Sequence, residues 1–210
     1  VQDLTGRVLK VVAELPSSES APAGNDNVQN VPRGFDWRDD EPASLVFAMP
    51  LDSGFIKKQV EFHDAVYSLS APFNQEAKEL FKTKTRFAGV IWGNTKVALV
   101  TEVLRGKQTS KVSRYSPADG TMEVLYERNL TDAYKNPGSP VLTKNALGRE
   151  VIQFTDNGSK ILMNNPVGSS DQGDLPFISK FDLATKKNEI IWRAKPGYFE
   201  QVEEVIDADK

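Results

Sequence analysis

The sequence contains no cysteine, and that absence excludes disulfides, thiolate metal sites and a cysteine nucleophile together. Histidine is nearly as scarce: His63, in "EFHDAV", stands alone in 210 residues. No apolar run approaches the roughly 18 to 20 residues that a bilayer crossing needs, and no basic-then-apolar leader opens the chain. Positive charge is not in excess. With 26 Lys and Arg against 29 Asp and Glu the net charge is -3, which gives no field for phosphate backbones or anionic lipid. Nucleic acid and membrane are therefore not expected partners. Gly-rich phosphate loops, zinc-ligand spacings and coiled-coil heptads are missing as well, and no cofactor is expected. The redox compartment is left open.

Helix signals are also few. Only "NQEAKELFK", Asn74 to Lys82, has the makings of a turn or two of helix, and it reads equally well as a strand. What remains is a succession of short β-type runs, and 39% hydrophobic residues supply enough apolar surface for a core. The runs are Leu45–Met49, Ala65–Leu69, Phe87–Trp92, Val97–Leu104, Lys111–Tyr115, Met122–Glu127, Glu150–Phe154, Lys160–Asn164, Phe177–Leu183 and Glu189–Arg193. Residues 16–33, rich in Pro, Ser, Asn and Gly, form a long loop ahead of them.

The runs repeat. Trp37 and Trp92 lie 55 residues apart and Phe154 follows 62 later, the extra length falling in the loop-like segment Asn129–Gly148. Each aromatic is followed by an apolar run, "SLVFA", "VALVTEV" and "KILMN", and then by a third and a fourth strand joined by a turn of related type. Four antiparallel strands every 50 to 60 residues is the period of a β-propeller blade; a β-sandwich with coincidental spacing is the alternative. The expected class is all-β, a partial β-propeller of about three four-stranded antiparallel blades at 34–85, 86–148 and 149–200. Inner strands carry Phe35 and Trp37, Val90 and Trp92, and Ile152 and Phe154. Residues 1–15, whose "DLTGRVLKV" repeats the third-to-fourth turn, and 201–210 are expected to be strands of neighbouring blades, so both ends read as cut ends of something longer.

Several uncommon strings also occur in a familiar order. "PRGFDWRDDEPASLVFA", "APFN", "KTKTRFAGVIWGNTKVALVTE", "YERNLTDAYKNPGSPVL" and "DLPFISKFDLATKKNEIIWR" resemble the amino-terminal propeller of glutamyl endopeptidase-like members of the prolyl oligopeptidase family of serine peptidases, over roughly residues 31–200. The resemblance implies a two-part enzyme, a propeller followed by an α/β-hydrolase domain that carries the serine, aspartate and histidine triad. It implies as partners that missing hydrolase domain and peptide substrates, to which the propeller controls access. A non-enzymatic propeller module that binds a protein or peptide is the alternative function. The chain departs from the family pattern at "TEVLRGKQTSK", where an aromatic and basic segment is expected, and at Ala133, where a basic residue is expected.

The chemistry itself is not expected in this segment. None of the 14 glycines begins the G-x-S-x-G turn that exposes a hydrolase nucleophile, and "GSSDQGD" has the wrong spacing. Without such a serine to activate, His63 reads as a polar position on or beside a strand. Asp39, Asp40 and Glu41, and Asp171 with Asp174, lack the alternating spacing of calcium loops and read as solvated turns, so no metal site is expected. Guanidinium forks match carboxylates, which makes Arg33, Arg38, Arg86 and Arg128 candidates for binding an acidic substrate side chain. Trp37, Trp92 and Trp192 read as core or blade-interface packing. The sequons at Asn129 and Asn157 matter only in a secretory pathway. A few blades alone leave two faces uncovered, and apolar faces of that kind favour self-association of the isolated segment.

Overall fold

The computed structural model describes residues 1–208, which contain three successive large antiparallel sheets and two small two-stranded ones. The first contains β1 (Arg33–Trp37), β2 (Ser44–Pro50), β3 (Asp64–Ser70) and β4 (Lys78–Thr83), each paired with the next in sequence. The second repeats the meander with β5 (Arg86–Asn94), β6 (Val97–Leu104), β7 (Thr109–Tyr115) and β8 (Met122–Asn129). In the third, the innermost position is shared by two short pieces, β9 (Ser139–Pro140) and β12 (Phe154–Thr155). Between them a hairpin is inserted, made of β10 (Leu142–Lys144) and β11 (Glu150–Ile152). The sheet continues through β13 (Lys160–Asn165), a small hairpin of β14 (Ser169–Ser170) and β15 (Gly173–Asp174), β16 (Phe177–Asp182) and β17 (Asn188–Arg193). No α-helix occurs among the described residues, and the second half of the ambiguous Asn74–Lys82 segment lies in β4, Lys78–Thr83.

One register relates all three sheets. Trp37, Trp92 and Phe154 sit on successive inner strands and oppose Leu45, Ala98 and Ile161, which in turn oppose Leu69, Tyr115 and Phe181. Two pairs along, Tyr67, Ser113 and Ser179 mark a β-bulge against the fourth strand in every sheet, with Leu80, Leu125 and Ile191 as the extra residue. Because side chains alternate with period two, a shared register fixes which face each residue presents. Four strands in the same register three times over are the blades of a partial β-propeller.

The faces then stack. Val46, Ala48, Val66 and Phe81 of the first blade meet Trp92, Ala98, Val100 and Tyr115 of the second in one buried cluster. Val97, Leu99, Val112 and Leu125 on the second blade's other face meet Ile152, Ile161, Met163 and Phe181 in the next. Contact at the second seam is close enough that a Cβ on Gly93 would lie 2.8 Å from the Phe154 ring, so only glycine fits there. On the first blade's remaining face, Phe47, Leu69 and Phe73 pack against Val1 and Val12 of the opening segment. There Gln2 bridges to Val8, and Asp3 Oδ1 accepts the amides of Thr5 and Arg7 at 2.9 and 3.0 Å. Asp182 ties the turn between β16 and β17 in a similar way, accepting the amides of Ala184 and Thr185 at 2.9 and 2.7 Å. The opening segment thus carries the same kind of turn as a third-to-fourth strand connection.

Two boundaries differ from the sequence reading. The run Glu150–Phe154 is broken at Gln153: its first part pairs with β10 and only its last residue joins the blade ladder. The third blade consequently begins at Ser139, within the loop-like stretch that the sequence reading gave to the second blade. The inner ladder survives the insertion because Leu162 donates its amide to the Gln153 carbonyl and accepts that of Val141, at 3.2 and 2.8 Å. Residues 201–208 carry no strand pairing, and 209–210 lie outside the described residues.

Candidate functional site

Inner strands start at one end of the blades and finish at the other, so their first residues gather with the turns that join second to third strands. At this starting end Arg86, the first residue of β5, is 4% exposed and meets Asp52 and Asp64, both fully buried. Its Nη1 and Nη2 donate to Asp52 Oδ1 and Oδ2 at 3.1 and 2.6 Å, and Nη1 also reaches Asp64 Oδ1 at 3.0 Å. The remaining edge of the fork, Nε, donates to the Asp26 carbonyl at 2.6 Å. A planar guanidinium has five donors spread over a wide fork and reaches these four acceptor atoms, whereas the three donors of an ammonium radiate from one nitrogen and cannot span them.

The acids are shared outward from there. Asp64 Oδ2 accepts the Phe87 amide at 2.8 Å and a hydrogen bond from Arg33 Nη2. Asp52 Oδ2 lies 2.7 Å from His63 Nδ1, and its Oδ1 accepts the Gly54 amide at 2.9 Å. The Asp26 side chain, in the long loop, accepts the amides of Arg105 and Gly106 at 2.7 and 2.8 Å and so ties that loop to the β6–β7 turn. Gly54 completes the packing: its φ is +87° and a Cβ would fall 2.0 Å from the Val28 carbonyl oxygen. This polar knot joins loop 16–33, the 51–63 connection and the second blade.

Burial acting alone raises the Asp52 pKa, but hydrogen bonds from Arg86 and His63, the Arg86 charge and the Gly54 amide outweigh it and hold the carboxyl below its ordinary 3.8. A depressed folded-state value contributes stability that is present above the unfolded pKa and disappears as pH falls through the folded one. Thermal unfolding midpoints are therefore expected to drop as pH falls below about 4. In Asp52→Asn the midpoint is lower throughout and its acid dependence shallower; parallel curves for the two proteins would show that Asp52 does not contribute.

The finishing end is organised differently. Arg38 follows β1, and its guanidinium stacks 4.2 Å from the Trp92 ring centroid across the first seam. Asp40 binds it with two hydrogen bonds of 3.0 and 2.7 Å, and Glu41 lies 3.0 Å from Nη2. Asp39, beside them, has its pKa raised, first by burial and then by the Asp36 charge. The tip of the β10–β11 hairpin arrives at this turn. Asn145 Nδ2 donates to the Asp39 carbonyl at 2.7 Å, and Arg149 donates to the carbonyls of Arg38, Glu41 and Pro42 at 2.6, 2.7 and 2.6 Å. A cleft of about 510 Å³ lies here, between Arg38, Glu41, Pro117, Ala118 and Leu147.

The structure thus places three of the four candidate arginines against the chain's own carboxylates: Arg33 on Asp64, Arg86 on Asp52 and Asp64, Arg38 on Asp40 and Glu41. Arg128 is on the outer strand β8, where Nη1 donates to the Asn129 carbonyl at 3.2 Å. They do not form one site. Asp171 is exposed and Asp174 accepts the Ser169 hydroxyl at 2.9 Å; among the described residues no three His, Asp or Glu side chains are grouped to hold a metal. An aspartate with a histidine is two thirds of an acyl-transfer triad, but among the described residues no serine hydroxyl hydrogen-bonds His63. Asp26, Asp52, Asp64, Asn145 and Arg149 were not singled out from sequence. The readable signal was single charges beside apolar runs, in "LDSG", "FHDAV" and "TRFAGV".

No family model matches the chain. Two curated proteins do, each named "Probable glutamyl endopeptidase, chloroplastic". The one from Oryza sativa subsp. japonica is 34% identical over 205 residues, covering 94% of this chain and 22% of that protein. The one from Arabidopsis thaliana is 32% identical over 214 residues, covering 98% and 22%. The chain spans about a fifth of the length of these curated relatives. Among solved structures, TolB from Acinetobacter baumannii superposes with a TM-score of 0.41 and 14% identity over 73% of this chain and 31% of that one. The molecule is a β-propeller segment. It is related in sequence, over nearly its whole length, to proteins named as glutamyl endopeptidases.

Proposed function

We propose that this chain is the non-catalytic propeller part of a serine peptidase of the prolyl oligopeptidase type, which admits peptides to a hydrolase domain outside this sequence and holds folded proteins away. The observation that carries the reading is the match of nearly the entire chain to a fifth of two proteins named glutamyl endopeptidase. The local chemistry agrees with it. Acyl transfer needs an activated nucleophile, a positioned base and oxyanion donors, and the single histidine is here directed at an aspartate that also binds Arg86. Contact between Arg33 or Arg128 and an acidic peptide side chain belongs to the same proposal, whereas Arg38 and Arg86 are buried against the chain's own carboxylates.

Incubation of the purified chain with a fluorophosphonate probe, and with fluorogenic peptides bearing Glu, Asp, Pro or Ala before the scissile bond, is expected to give neither labelling nor turnover. Stoichiometric labelling of a serine, or hydrolysis abolished by replacing one serine, would overturn the assignment of this segment as non-catalytic. A longer protein that continues past Lys210 is expected to cleave the same peptides.

A further inference from the structure

The first two blades have an uninterrupted inner strand, whereas the third gives up the middle of its own to the hairpin 141–153. That hairpin lies along β5, the inner strand of the second blade, and its tip crosses to the turn of the first. Its anchorage is uneven. At the base, Val151 and Ile152 are buried, Ile152 within the cluster between the second and third blades. Strand β10 is exposed along its whole length. The tip is held to the first blade by side-chain donors on backbone carbonyls: three from Arg149 and one from Asn145.

We propose that the hairpin is a latch, with its base fixed in the second seam and its tip, through Arg149 and Asn145, reversibly closed on the 38–42 turn. Closing it joins the first blade to the third along the inner side of the second. Opening it frees that inner side while the blade cores stay packed, because the tip bonds use carbonyls of a turn and not of a blade ladder. The surroundings favour the closed state. Arg149 is attracted by Asp39, and the Arg38 charge at the same turn is offset by its pairing with Asp40 and Glu41. The latch stands on the burial of the hairpin base and the hydrogen bonds of its tip; its use as a gate for peptides approaching the inner side rests on the function proposed above, so the two are tested separately.

The absence of cysteine allows site-specific spin labels at Ala146→Cys on the tip and Gln75→Cys on the first blade. Electron–electron distance measurements are expected to give one narrow distribution with the native tip, and a broad, longer one in Arg149→Ala with Asn145→Asp, which keeps the oxygen that caps the tip and loses the donor to Asp39. Thermal unfolding recorded alongside is expected to stay cooperative. If the double variant does not fold, Arg149→Lys, with one ammonium facing three carbonyls, carries the test with intermediate broadening. An unchanged narrow distribution in the folded variants overturns the latch. In a longer, active protein, Arg149→Ala is expected to raise hydrolysis of long peptides relative to short ones several-fold. A freed hairpin with unchanged selectivity overturns the gate, and failure of that protein to cleave any peptide overturns the peptidase reading instead.

Discussion

Replacing Arg86 with methionine is expected to remove about 3–5 kcal/mol of folding stability, the range for breaking a buried ion pair from one side. Two carboxylates, Asp52 and Asp64, are fully buried and lose their shared cation, and the Asp26 carbonyl loses a donor. Their remaining partners are His63, Arg33 and the amides of Gly54 and Phe87, which cannot replace a fork that touches both acids at once. Urea unfolding at pH 7 measures the loss directly. Arg86→Lys is expected to recover only part of it, since an ammonium keeps the charge but not the bidentate geometry. Adding Asp52→Asn and Asp64→Asn to the methionine variant should restore some stability by removing the stranded charges. A loss below about 1 kcal/mol, the scale of an exposed pair, would show that water reaches the knot and substitutes for the guanidinium.

Trp92→Ala is expected to cost a similar amount, about 3–5 kcal/mol, through the cavity left in the first seam and the loss of the face on which Arg38 rests. The informative control is Trp37→Ala. Trp37 has the same register on the preceding blade, yet it is 42% exposed where Trp92 is 1% exposed. Among the described residues its one ring partner is Phe73, edge-to-face with centroids 6.1 Å apart, and the truncation is expected to cost roughly 1–2 kcal/mol. Equal losses from the two substitutions would mean that the seam, as drawn by the buried cluster, is not the source of the stability.

The comparison of these two tryptophans shows what sequence could and could not convey. Their strand, register and facing direction were legible, because an aromatic followed by an apolar run and a turn recurs at blade spacing and alternation does the rest. Their burial was not, since it depends on what stands across the face. The same limit hid the knot. Asp52 and Arg86 lie 34 residues apart, and an isolated charge next to an apolar run looks the same whether it ends in water or against a partner. The hairpin was hidden for another reason. Leu142–Lys144 is exposed, so it carries no alternating pattern, and Glu150–Phe154 keeps apolar residues on both sides of Gln153 and reads as one run although the chain changes sheets there. Turn chemistry in "NALGR" was the remaining cue: Asn145 caps the tip by accepting the amides of Leu147 and Arg149 at 2.9 and 3.1 Å.

The bulge repeated at Leu80, Leu125 and Ile191 bears on whether the outer edges can accept a further strand. Each outermost strand has one edge bonded inward and another turned to solvent, the kind of row onto which a foreign strand can add and begin a fibre. An extra residue in the middle of that strand breaks the even alternation of donors and acceptors and sharpens the local twist, so an incoming straight strand can match one half of the row but not both. The three perimeter edges are therefore poor templates for cross-β growth, and the protection comes from backbone spacing, independently of which charges the surface carries.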